Sequence, residues 1–527
     1  MNIKACRTLL AAAVLLAGAA GCTDVTTEPT STATAATVFN DPSSYKALLA
    51  RVYGGLQVTG QEGPAGLPDI RGGDEGFSHY LRQYWQLQEL PTDEAVIGWG
   101  DVGLPEIVTQ RWGAENQFLS MMYYRVFFQV MMANEFMRET TEEKLTARNV
   151  SPELRTLIRG YQAEARFLRA LSYWHGIDLF GNIPLVTEAT PLGKTPPQQS
   201  TRQAVYDFAV GELLAIRPEL PAVGQGQYGR ADQGAVNMLL AKLYMNSAVY
   251  TGVARYGEAR AALELVINSG AYQLDDDYDD LFLADNHTSP EIIFAVPFDG
   301  VRTQTYGGMT FLQHAAVGGN MNAADYGLDG GWWGLRMRPE AYARYNLAAD
   351  DRTSFFYANG HSVAIDNLSD FFDGVAAPKF RNVTKGGQPG SSASYPDTDF
   401  PMFRLADAYL MYAEAVLRGG GGTRPLALQY VNAIRTRAYG GAGGNISDAQ
   451  LTLPFILDER GRELLWEGHR RTDLVRFDQF TDNGVWTFKG GLPAGSTTAA
   501  HLDLFPIPAT ELVANPNLSQ NPGYTDD

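Results

Sequence analysis

The chain has 527 residues and a net charge of -18, from 41 Lys and Arg against 59 Asp and Glu. That acidity, with no basic patch along the sequence, argues against nucleic acid as a partner. A chain of this length can bury one large core or two to three domains.

The N-terminus carries Lys4 and Arg7, then a largely apolar run from Leu9 to Ala20, then Gly21-Cys22. The run is too short to span a bilayer as a helix. Small residues directly before a Cys are the layout of a bacterial lipoprotein signal, with residues 1–21 removed and Cys22 lipidated. The chain has two Cys, and Cys6 would leave with the signal. Cys22 is then the sole mature cysteine, which excludes an internal disulfide and a catalytic thiol. No later stretch is apolar for long enough to cross a membrane. The expectation is a lipid-anchored body outside the cytoplasm, with residues 22–40, rich in Thr, Ala and Ser, as a flexible tether.

Asp41-Pro42-Ser43 opens a helix, and Tyr45, Leu48, Leu49, Val52, Tyr53 and Leu56 follow at helical spacing. Residues 60–114 lose the period and read as a loop-rich excursion, punctuated by Gly and Pro and carrying Trp85, Trp99 and Trp112. Helical pattern returns at 115–141 and 151–179, then at 201–217, 231–250 and 253–268. The last two read as a pair joined by Thr251-Gly252. Large and small residues alternate within such pairs, as in tetratricopeptide-type repeats. Residues 270–400 form a second, larger insertion with a short strand at 291–296. Helices at 403–418, 424–437 and 448–477 close the chain. The expected fold is predominantly α-helical, with tetratricopeptide-like helix pairs as scaffold and two loop-rich insertions with short strands.

Phe400-Pro401-Met402-Phe403-Arg404-Leu405-Ala406-Asp407-Ala408-Tyr409-Leu410-Met411-Tyr412-Ala413-Glu414-Ala415 resembles a helix of the SusD/RagB family of outer-membrane nutrient-uptake lipoproteins. Val431 to Ala438 and Ile456 to Arg476 resemble its next helical segments, and Leu504-Phe505-Pro506-Ile507-Pro508 with Asn515 to Tyr524 resembles its terminal signature. Glu164 to Ala170, Leu179 to Val186 and Thr92-Asp93-Glu94-Ala95 match upstream, so the likeness runs the length of the chain. It implies a single SusD-like body over 41–527, with an N-terminal region at about 41–250 and a C-terminal region at about 270–527.

The 456–476 segment holds Glu459, Glu463, Glu467 and Asp473, and paired carboxylates can hydrolyse a glycosidic bond. Each has an Arg within three or four positions, which favours structural ion pairs and lowers the pKa that a general acid needs raised. Glu414 is expected to pair with an Arg, Arg404 or Arg435 being candidates. None of the seven His has the spacing of a catalytic zinc site. No Gly-rich phosphate loop joins a strand to a helix, so a nucleotide cofactor has no support. Asp275 to Asp280 could hold calcium, but the run lacks the Gly and closing Glu of an EF-hand.

Sugar rings need exposed aromatic planes beside polar groups that read hydroxyls. Gly98-Trp99-Gly100-Asp101 supplies both in the first insertion, and Trp332-Trp333-Gly334 with Arg336 supplies both in the second. The resemblance points to the same two places. Trp99, Asp101 and Trp332 are the foremost candidates; Tyr306, Trp333 and Arg336 complete the set, with Tyr326 a lesser one. Trp85 and Trp112 read as structural. The resemblance implies a non-catalytic protein that captures an oligosaccharide and passes it to a TonB-dependent, SusC-like transporter barrel at the outer membrane. Peptide or glycoprotein fragments are the alternative cargo. A surface glycoside hydrolase, with Asp93, Glu94 and Asp101 as its acids, and an adhesive surface protein are the competing classes.

Overall fold

The computed structural model describes residues 38–39, 41–193 and 195–524. The signal segment and Cys22 lie outside these residues, as does nearly all of the expected tether.

Helix α1 (Ser43–Gly54) buries Tyr45, Leu49 and Val52, and Asp41 accepts a hydrogen bond from the Ser43 N–H at 2.9 Å. Then come α2 (Tyr80–Glu89), β1 (Ala95–Ile97) and α3 (Leu104–Thr109). The scaffold follows with α4 (Gln117–Glu139), α5 (Glu142–Ala147), α6 (Pro152–Phe180), the short strands β2 (Ile183–Pro184) and β3 (Gln199–Ser200), and α7 (Arg202–Ile216). It continues through α8 (Gln233–Met245), α9 (Ser247–Thr251) and α10 (Tyr256–Ile267). Side-chain caps set several starts: Asn116, Ser151, Thr201 and Asp232 each accept from a backbone N–H of the first turn. Helix α4 packs on α6, α6 on α7, and α8 on α10.

The second insertion holds β4 (Ile292–Val296), α11 (Gly308–Ala316), β5 (Leu335–Met337) and the single turn α12 (Pro339–Tyr342). Strand β6 (Phe400–Arg404) pairs antiparallel with β4 and leads straight into α13 (Leu405–Leu417). Helices α14 (Arg424–Ala438), α15 (Leu453–Glu463), α16 (Arg470–Arg476) and α17 (Ala509–Ala514) complete the chain. Helix α13 packs against α10, α14 and α15, which continues the stack. One hydrophobic cluster runs from Leu49 to Leu518.

Three departures from the sequence reading have physical causes. The first excursion contains α2, whose Gln83, Gln86, Gln88 and Glu89 are buried along with its apolar residues. It is a ten-residue helix set inside a stretch whose Gly and Pro residues read as loop. Helix α11, also short and set among glycines, buries all nine of its residues. The stretch read as one helix over 448–477 is split between α15 and α16, where Trp466 (φ 61°) and Gly468 (φ 77°) take left-handed conformations. That corner seats α2: Trp85 Nε1 donates to Trp466 O at 2.8 Å, and Glu89 accepts from the N–H groups of Gly468 and His469 at 2.7 and 3.0 Å.

The charged row of α15 and α16 is an interior ion-pair network. Arg404 reaches Glu291, Glu463 and Glu467 at 2.6–2.7 Å, and Arg352 reaches Asp350, Glu459 and Glu463 at 2.8–3.0 Å. Arg460 bridges Asp407 and Asp473, and Lys379 holds Glu467 at 2.7 Å. Glu414 is held by Arg476 and Arg418, at 2.7 and 2.8 Å, rather than by Arg404 or Arg435. Arg435 serves Glu459 instead. Burial alone would raise Glu459 and Glu463, but their Arg neighbours hold both down at about 2.

The Asp275–Asp280 run assembles no cation site. Asp275 takes the Ser289 hydroxyl, Asp279 pairs with Arg381, and Asp280 pairs with Lys385. Among the described residues no three His, Cys, Asp or Glu side chains are grouped to hold a metal ion.

Candidate functional site

The two insertions meet through a two-stranded antiparallel ladder. In it Ala95 faces Met337, Val96 faces Arg336 and Ile97 faces Leu335. The pairing continues one step further, with the Gly98 N–H donating to Gly334 O at 3.2 Å. Continued one step, that register would set Trp99 opposite Trp333; Trp333 takes a left-handed conformation (φ 55°), and Trp99 meets Trp332 instead. Trp99 Nε1 donates to Trp332 O at 3.1 Å, and the ring centroids lie 6.3 Å apart at 46°. Gly334 is required here: a Cβ on it would lie 2.7 Å from the Trp99 ring.

Both indoles are half-buried and held from one side. Trp332 stacks on His314 of α11 with centroids 4.8 Å apart at 22°. The buried His314 ring is tied through Nδ1 to Gly330 O at 2.7 Å, and the Trp332 N–H donates to His314 O at 2.7 Å. Burial lowers the His314 pKa, so this support is neutral imidazole at pH 7. Trp99 meets Phe311 edge-on at 5.8 Å.

Arg82 completes the platform, and sequence reasoning missed it. Helix α2 places its guanidinium 4.6 Å from the Phe311 centroid and 5.9 Å from that of Trp99. Burial draws its pKa down to about 10, opposed by the charges of Asp74, Asp101 and Glu75. Arg82 Nε is buried with no hydrogen-bond partner among the described residues. Arg82 as a whole is part-exposed, so it borders the half-open aromatic surface. Asp101 itself is exposed, and its charge acts on this group.

Tyr306 extends the arc. It is 45% exposed, its N–H donates to Glu75 at 2.8 Å, and its ring pairs with that of Tyr395 at 5.6 Å and 53°. Tyr395 follows Ser394, whose hydroxyl donates to Asp329 in the loop that leads to Trp332. The Tyr pair is thereby tied to the indole pair. Tyr395 sits in a Ser-rich loop with no periodic signal, and Arg82 sits on the hidden helix α2, so neither stands out in the sequence.

Two candidates take other roles. Arg336 is fully buried, and its guanidinium donates to the carbonyls of Asp373, Gly334 and Leu368 at 2.9, 2.8 and 2.6 Å. All three of its nitrogens are engaged in bracing the strand beneath the indoles. Trp333 is 51% exposed with φ 55°, and it packs on Phe371 and Phe372 instead of on the Trp99–Trp332 pair. Tyr326 packs against the satellite cluster of Val317, Met321, Leu328 and Phe371. Trp85 and Trp112 are buried, as their sequence context suggests.

The acids of the hydrolase reading do not assemble a catalytic pair. Burial alone would raise Asp93, but Arg344 and Arg470 hold it well below the usual carboxylate range. Burial pushes Glu94 up, as a general acid requires, but its side chain is 1% exposed and bonded to Arg344 at 3.2 Å. Of the three, only Asp101 faces solvent, and a glycosidase needs two carboxylates flanking one bond.

Known proteins share this fold. The SusD family model matches residues 357–524. The chain is 34% identical to the starch-binding protein SusD of Bacteroides thetaiotaomicron, over 90% of this chain and 91% of that one. It is 28% identical to SusD-like protein P2 of Formosa agariphila, over 70% and 74% of the two chains. Among solved structures, surface glycan-binding protein A of Bacteroides thetaiotaomicron in complex with laminarihexaose superposes with a TM-score of 0.70 at 21% identity, covering 90% of this chain and 98% of that one. This chain belongs to the SusD family.

Proposed function

We propose that the protein is a cell-surface glycan-binding lipoprotein that captures a neutral oligosaccharide on the arc of Trp99, Trp332 and Tyr306. Arg82 and Asp101 read the sugar hydroxyls. The observation that carries this reading is the β1–β5 ladder, which brings two half-open indoles from distant insertions into one surface beside the part-exposed Arg82. Flat pyranose faces stack on such rings, and polar groups at their rim fix orientation. The starch-binding and laminarihexaose-bound relatives support the sugar class. The charge around the arc favours neutral cargo: Asp74, Glu75 and Asp101 surround the one Arg, and Arg336 is occupied.

Family membership supports the remaining steps. Cys22 carries the lipid anchor in the outer membrane, and bound glycan passes to a TonB-dependent, SusC-like barrel beneath. Titration of the purified protein with maltoheptaose, laminarihexaose and a set of peptides tests the cargo. Saturable binding to a glucan, little changed between low and high salt, is the expected result. Binding to peptides alone would overturn the glycan reading and leave the uptake role standing. Co-purification with a barrel encoded beside it tests the handoff.

A further inference from the structure

The segment that leads to Tyr306 also walls a second open space. A cavity of about 590 Å³ lies between Tyr228, His287, Phe298, Asp299, Ser391 and Asp397. That volume falls within the range of small-molecule sites, about 300–1,000 Å³.

Its aromatic wall is fixed and open. Tyr228 is 40% exposed, yet its hydroxyl donates to Asp399 Oδ2 at 2.7 Å. Asp399 is only 4% exposed, and its other oxygen accepts from the Phe298 N–H at 2.7 Å. The hydroxyl end is therefore pinned to a buried carboxylate. The backbone is pinned as well: Gly229 (φ 73°) lies so close to Pro297 that a Cβ would sit 2.5 Å from its ring. His287, an exposed residue, meets Tyr228 edge-on, with centroids 6.3 Å apart at 71°.

The rim supplies acceptors. Asp397 accepts from the Gly300 N–H and the Ser391 N–H at 2.7 and 2.6 Å, and Asp299 accepts from the N–H groups of Val301 and Arg302 at 2.9 Å. Asp397 also accepts from the Ser391 hydroxyl at 2.6 Å and Asp299 from the Arg302 guanidinium, which leaves each about one acceptor position for a ligand hydroxyl. The Arg302 head at the mouth is paired with Asp299, so the space is uninviting to sulfated or uronic sugars. The same segments serve the first site. Gly300 packs against the Tyr395 carbonyl, and Tyr395 pairs with Tyr306.

We propose that the Tyr228–His287 cavity is a second carbohydrate subsite, taking a neutral pyranose unit of a long glycan whose other units lie on the Trp99–Trp332–Tyr306 arc. This rests on the glycan reading above. The test is calorimetric titration of the full protein with maltotriose and laminaritriose as short probes and with amylopectin and laminarin as long ones. Tyr228→Ala is expected to weaken long-chain binding about three- to tenfold and to leave trisaccharide binding unchanged. Tyr228→Phe, which keeps the ring, should retain most of the affinity. His287→Ala, at an exposed position that leaves the fold undisturbed, should lose affinity in the same direction. Wild-type long-chain binding in both Tyr228→Ala and His287→Ala would overturn the subsite alone. Failure of the wild-type protein to bind any of the four glucans would overturn the glycan reading for them and the subsite with it.

Discussion

The row from Glu459 to Arg476 and the surface from Trp99 to Trp332 both look chemically potent in sequence, and the fold uses them in opposite ways. The first is packed with carboxylates and guanidiniums, yet its Glu459, Glu463 and Glu467 are fully buried and each carries at least two cationic partners. The second has few charges, but its indoles are half-open and its Arg82 is part-exposed. Burial, rather than residue type, separates them. A charged group paired inside the protein stabilises one arrangement of the chain; a ring or polar group left open to solvent is available to a ligand.

The largest effect is expected where the network is cut. Glu463→Gln leaves Arg352, Arg404 and Arg437 short of a countercharge. Removing one partner of a buried pair costs about 3–5 kcal/mol. Chemical denaturation should show that loss, with sugar affinity of the folded fraction unchanged. If Glu463→Gln abolished binding at unchanged stability, the structural role would be wrong.

Acid should act on the same region. The folded-state pKa of about 2 for Glu459 and Glu463 lies below the ordinary 4.5. The stability these groups contribute is present above pH 4.5 and is lost as pH falls from there toward 2. Melting temperatures measured across that window should drop steeply in the wild type and less in Glu463→Gln.

A smaller effect should sharpen the aromatic side. Gly334→Ala drives a methyl group into the Trp99 ring and should weaken glucan binding about tenfold, equivalent to about 1.4 kcal/mol, with the network untouched. Arg336→Lys is expected to alter stability and leave the salt dependence of binding as it was, because Arg336 is engaged with three carbonyls. A strengthened salt dependence or a selective loss of anionic cargo would return Arg336 to the binding surface.

The helical scaffold was legible because α4, α6, α7 and α8 each combine a long helical pattern with a capping residue at the start. The two Trp positions were legible because Gly-flanked aromatics stand out. Their meeting was not, since it depends on a ladder between residues 233 positions apart at the indoles. Arg82 did not stand out because α2 is a short helix inside a stretch whose Gly and Pro residues read as loop. An Arg after two Trp reads as surface, and at Arg336 the strand turns it inward.

The central claim is that binding lives on the Trp99–Trp332 surface and not in the charged row. Its most direct test is calorimetric titration of maltoheptaose and laminarihexaose into the wild type and into the Trp99→Ala, Trp332→Ala double variant, with melting temperatures taken on the same samples. The expected result is glucan binding in the wild type and its loss in the double variant, at a melting temperature within a few degrees of wild type. Undiminished binding in a folded double variant would contradict the claim.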